Sequence, residues 1–143
     1  MARTHGGELG LNRSTSQQHY VHHRSGFALR NSTRLVTLRL LREFGEAMRG
    51  WPMAGVRVWV RHTRGAEYSG TCYPQEARIY VNLSPTLRFP YRLATQVAPG
   101  KTQHGVWRRP LWTVMVPDAC DLATFIFLHE CYHCCLLYTS PSP

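Results

Sequence analysis

The residues of this chain best suited to chemistry are two histidines four positions apart, in the run His129-Glu130-Cys131-Tyr132-His133. On a helix, residues i and i+4 share one face about one turn apart, so both imidazoles can reach one metal ion while Glu130 stands beside them. Neutral imidazole is a good zinc ligand, and a catalytic site keeps one coordination position for a water whose pKa the metal lowers to roughly 7. A neighbouring carboxylate can take that water's proton and pass it to a leaving group. The pattern therefore points to peptide-bond hydrolysis by zinc-activated water, with His129 and His133 as metal ligands and Glu130 as general base. The alternative for the same residues is a pair of structural histidines on a buried helix.

Such a site needs a helix, and the flanking residues supply one. Leu122, Phe125, Ile126 and Leu128 recur at helical spacing. Pro117-Asp118 makes a start signal, with Asp118 or Asp121 near the cap, so a helix is predicted over about 119 to 134. A second helix is predicted over about 33 to 49. Asn31-Ser32-Thr33 would cap it, Leu35, Leu38, Leu40, Leu41, Phe44 and Met48 form its apolar stripe, and Gly50 and Pro52 end it.

Between the helices, Val56, Val58 and Val60 alternate with Arg57, Trp59 and Arg61, and Ile79, Val81 and Leu83 repeat the pattern. Period two with β-branched residues means half-buried strands. A short loop holding Gly65 and Gly70 would join them as an antiparallel pair, leaving Trp59, Tyr80 and the arginines on the opposite face. Residues 84 to 110 carry Pro85, Pro90, Pro99 and Pro110 and read as a long excursion. It includes Tyr91, Arg92, His104 and Trp107 as possible further ligands or substrate contacts. A third strand follows at Leu111–Val116. Residues 1 to 30 are polar and without period, which predicts a flexible basic arm in which His19, His22 and His23 are exposed.

A 143-residue chain with 43% hydrophobic residues supports one domain with a two-layer core. No run approaches the roughly 18 apolar residues of a membrane span, and the N-terminus has no apolar signal core, so a soluble, cytoplasmic protein is expected. The five cysteines show no regular framework and are expected to be reduced thiols. Sixteen Arg and one Lys against eight acidic residues leave a formal charge of +9, which favours phosphate backbones or acidic partners.

The order of elements resembles SprT-like metallopeptidases and related compact phage-type metallopeptidase domains. The likeness spans residues 31 to 134 and rests on Gly70-Thr-Cys-Tyr-Pro-Gln-Glu-Ala-Arg-Ile-Tyr-Val-Asn82 followed by Phe127-Leu-His-Glu-Cys-Tyr-His133. It implies an α+β, zincin-like minimal core: a small, mostly antiparallel sheet packed with an N-terminal helix and a C-terminal helix bearing the motif. It also implies one zinc ion on His129 and His133, Glu130 as general base, an edge strand that holds a peptide or protein substrate, and DNA association in some members.

The chain departs from that family after His133, where Cys134-Cys-Leu-Leu-Tyr-Thr-Ser-Pro-Ser-Pro143 contains no His, Glu or Asp to serve as a third ligand. Residues 135–143 resemble one reading frame of a transposase-type sequencing adaptor. They are expected to be a non-native tail on a domain incomplete at its C-terminus, so a fragment ending here would be a poor enzyme. The alternative function is a non-catalytic basic module on the same scaffold, structural or docking nucleic acid through Arg57, Arg61, Arg64, Arg78, Arg108 and Arg109.

Overall fold

The computed structural model describes residues 19–95, 101–108 and 112–139. Among these residues, five strands form one sheet: β1 (Val21–His22), β2 (Ala28–Asn31), β3 (Arg57–His62), β4 (Tyr68–Tyr73) and β5 (Arg78–Leu83), in spatial order β1-β2-β3-β5-β4. Two helices, α1 (Thr37–Ala47) and α2 (Ala119–Thr139), pack on it. A second ladder pairs β6 (Tyr91–Thr95) with β9 (Trp112–Val116), and β7 (Lys101–Gln103) pairs with β8 (Val106–Arg108). The α+β class expected from the sequence is the observed one. Among the described residues no helix is long and apolar enough to cross a membrane.

The alternation in β3 and β5 does what its period requires. Val58, Val60, Ile79, Val81 and Leu83 are all buried on one face, and each is stabilised by roughly 1.5–3 kcal/mol relative to exposure. The pairing differs from expectation. β3 and β5 are parallel, in the register Val58↔Ile79 and Val60↔Val81, and β2 is parallel to β3, whereas β1–β2 and β4–β5 are antiparallel. The main sheet is therefore mixed rather than mostly antiparallel. The cause is β4, whose Ser69-Gly70-Thr71 breaks the apolar alternation and so reads as loop. The chain runs out along this edge strand and returns as β5 between it and β3.

The N-terminal boundary also moves. Residues 21 to 31 are strand and turn rather than a flexible arm, and Phe27 and Leu29 are completely buried. His23 stacks on Phe27 and rests on α1 at Gly45, where an added Cβ would lie 2.2 Å from its Nε2. The part of the predicted arm that falls on residues 1 to 18, and the last residues of the predicted tail, lie outside the described residues.

α1 is shorter than its apolar pattern suggests. Its N-cap is Val36, without a side-chain cap. Asn31 organises the approach instead: its Oδ1 accepts from the Thr33 backbone N–H at 2.9 Å and its Nδ2 donates to Leu35 O at 2.7 Å. Leu40, Leu41, Phe44 and Met48 are buried, while Leu38, expected in the stripe, is 73% exposed. The predicted excursion at 84 to 110 holds three short strands, and Leu93 of β6 and Val116 of β9 reach the core.

Candidate metal and substrate site

α2 carries the predicted motif and begins at the predicted signal. Asp118 is its cap, its Oδ1 accepting from the Asp121 backbone N–H at 2.9 Å. Arg39 of α1 donates to the other Asp118 oxygen at 2.7 Å and to Glu43 at 2.8 Å, so the start of α2 is tied to the first helix. Burial by itself would raise the Asp118 carboxyl, but hydrogen bonds from Arg39 and from the Asp121 backbone outweigh it and hold the group below the usual carboxylate range. Asp121 moves the other way, pushed up by burial and then by the charges of Asp118 and Glu43.

The helix buries Leu122, Ala123, Ile126 and Phe127, and Phe127 stacks on Phe44 at 4.3 Å with an interplanar angle of 4°. This packing fixes the rotation of α2, and with it the direction of the motif. Ile126 and Glu130 lie on the buried side, while His129 and His133 emerge at the border. The helix continues to Thr139, beyond the predicted end near 134.

The two histidines converge as the spacing predicts, with their Nε2 atoms 3.0 Å apart. With Zn–N bonds of roughly 2.05 Å, two ligands of a tetrahedral ion stand about 3.3 Å apart, so a small opening of the rings would admit one zinc. Neutral rings at 3.0 Å otherwise share one proton, one N–H donating to the other ring nitrogen. Among the described residues no group of three His, Cys, Asp or Glu side chains is arranged to hold a metal ion. The donors therefore fit two positions of a zinc shell.

Glu130 is 8% exposed and lies against β4 at Gly70. A Cβ on Gly70 would sit 2.7 Å from the Glu130 Cγ and Oε1 and from Ile126 Cγ2, so the glycine is what lets the helix approach the edge strand this closely. A cavity of 220 Å³ opens beside it. Tyr68 and Gly70 of β4, Leu93 and Ala94 of β6, and Phe125, Ile126, His129 and Glu130 of α2 line it. Tyr91 anchors β6 at this edge by donating its hydroxyl to Glu67, which, with burial, pushes the phenol up to about 12.

Beyond His133 the helix is bonded to the same strand, because Cys134 forms a disulfide with Cys72 of β4 across a Cα–Cα distance of 6.1 Å. This corrects the expectation of five reduced thiols for that pair; Cys120 and Cys131 are buried. Nothing in the sequence selects Cys72 as the partner, since only the fold brings residues 62 apart together.

Of the residues proposed from the excursion, Tyr91 is engaged with Glu67, Arg92 is exposed, and His104 is exposed at positive φ in the β7–β8 turn, none of them lining the cavity. The side chain of Trp107 falls outside the described residues. Gly70, Tyr68 and β6 were not legible as site elements, although a glycine flanked by strand residues is a recognised sign of close approach. Arg57, Arg61 and Arg78 lie on the far face of the sheet and Arg64 in the β3–β4 connection. The side chains of Arg108 and Arg109 are outside the described residues. Comparison with protein-family models, with curated proteins and with solved structures returns no match.

Proposed function

We propose that the chain is a zinc-dependent metallopeptidase-like domain of the SprT-like kind, acting on extended peptide. The observation that carries this reading is the convergence of the His129 and His133 Nε2 atoms beside Glu130, which faces a cavity at the sheet's edge. His129 and His133 would hold the ion. Zinc, when bound, supplies Lewis-acid chemistry, acidifying water and polarising a carbonyl.

The chain's own residues do the rest. Glu130 would accept a proton from water at its carboxylate and release it to the departing amine. Its buried setting against Gly70 and Ile126 holds it in place and limits bulk water on that side. β4, paired only with β5 among the described residues, has one edge available for main-chain hydrogen bonds to an extended substrate. Phe125 and Leu93, both lining the cavity, offer apolar surface to a side chain.

A shell with two protein donors should bind zinc more weakly than a three-ligand site, so the test starts from metal. Purified protein titrated with zinc should take up about one equivalent, and His129→Ala and His133→Ala should each abolish the uptake. Glu130→Gln should retain the metal and lose any peptide hydrolysis. A folded preparation that takes up no zinc, or takes it up equally after His129→Ala, would rule the reading out.

A further inference from the structure

The three parallel strands of the main sheet, β2, β3 and β5, bring their C-terminal ends to one edge. The ladder holds as far as that edge, where the Ser32 N–H donates to Val60 O at 2.8 Å and the Thr63 N–H to Leu83 O at 3.0 Å. Beyond it the chain diverges: residues 33 to 35 leave β2 for α1, while residues 84 to 89 leave β5 for β6. Divergence of this kind opens a crevice outside the carboxyl ends of parallel strands, the place where open α/β sheets take ligands. Here the crevice is a cavity of 380 Å³, bounded also by Ala119 at the start of α2, and it is large enough for a small organic molecule. It shares no lining residue with the cavity beside Glu130.

Its walls divide by chemistry. Leu83, which is buried, and Leu35, Leu87 and Phe89, which pack against the core, form an apolar floor, while Arg34 and His62 stand exposed at the mouth. The hydroxyls of the wall are already engaged in shaping it. Thr33 Oγ1 donates to Asn31 Oδ1 at 2.6 Å and accepts from the Leu35 N–H at 3.2 Å, and Ser84 Oγ meets Thr86 Oγ1 at 2.9 Å. Arg34, by contrast, makes no hydrogen bond or ion pair among the described residues. His62 turns its Nδ1 toward Leu83 O at 3.4 Å, which leaves Nε2 for a further partner. No acidic residue lines the cavity, and Asp118, beside Ala119, is held by Arg39. An apolar floor under an unanswered planar cation selects a molecule with an apolar body and a carboxylate head. Guanidinium meets carboxylate as a fork with two parallel hydrogen bonds, and the ring or chain behind the head gains by leaving water.

We infer that this cavity binds a small amphipathic monocarboxylate, its carboxylate on Arg34 with His62 beside it and its apolar body against Leu83, Leu87 and Phe89. The probe is phenylacetate, titrated into protein with labelled leucine methyl groups and followed by NMR. The methyl signals of Leu35, Leu83 and Leu87 should shift saturably, with half-saturation at or below about 1 mM. Phenylacetamide, which keeps the ring and loses the charge, should bind at least about tenfold more weakly. Acetate, which keeps the charge and loses the ring, should also bind at least about tenfold more weakly. Arg34→Gln, at an exposed position without partners among the described residues, should weaken phenylacetate about tenfold and leave the thermal midpoint of the unliganded protein unchanged. His62→Gln should weaken it about threefold. Arg57→Gln, on the far face of the sheet, should bind like the parent, which excludes a general attraction of anions to a basic protein. His129→Ala should also bind like the parent, which separates this cavity from capture of a carboxylate at the proposed zinc site. No saturable shift of these methyl signals, equal affinity for phenylacetamide or acetate, binding unaltered by Arg34→Gln, or binding lost in His129→Ala would overturn the proposal.

Discussion

The two faces of the five-stranded sheet are made by the same few strands, yet they solve different problems. The inner face buries Val58, Val60, Ile79 and Val81 beneath two helices, and its stability comes from removing apolar surface from water. The outer face sets Arg30 and Arg61 over Trp59 and Tyr80, where each half-buried cation–π contact contributes only about 0.5–2 kcal/mol. The inner face therefore holds the fold together, while the outer face is free to carry chemistry that stability does not require. The motif of α2 sits at the seam, with Glu130 on the dry side and both imidazoles on the wet one.

Truncating the inner face should cost most. Phe127→Ala removes the ring stacked between the two helices and is expected to destabilise by about 3–5 kcal/mol, measured by urea unfolding, with zinc uptake falling as α2 loses its orientation. Reduction of Cys72–Cys134, which closes a 62-residue separation, should cost about 2–4 kcal/mol. Melting with and without reductant reads it directly, and a Cys72→Ser variant should melt like the reduced parent.

Gly70→Ala asks whether the seam tolerates one methyl. Its Cβ would need Glu130 and Ile126 to move, so a loss of about 1–3 kcal/mol is expected, together with weaker hydrolysis at unchanged zinc uptake. An unchanged melting midpoint would show that α2 and β4 are less tightly apposed than the structure has them.

The smallest effect should come from charge at the periphery. The depressed Asp118 carboxyl stabilises the fold at pH values above its unfolded range near pH 4, and that contribution is lost as pH falls through its lower folded value. Asp121, raised by burial, opposes it by favouring the fold as it protonates. The melting midpoint of the parent should consequently fall more steeply between about pH 5 and pH 3 than that of Asp118→Asn. Parallel curves would remove Asp118 from the account.

What the sequence determined by itself was local and periodic. Alternation in β3 and β5 chose their buried faces, three- and four-residue spacing produced α1 and α2, Asp118 marked the start of α2, and the i, i+4 spacing brought His129 and His133 together. Each of these follows from backbone geometry over a few residues. Tertiary structure decided the rest, because it depended on partners far along the chain. It made β3 and β5 parallel by sending β4 to the edge, recruited Phe27 and Leu29 from a segment too polar to read as core, and joined Cys72 to Cys134. It also laid Glu130 against Gly70: a glycine states that something comes close, and only the packed fold says what.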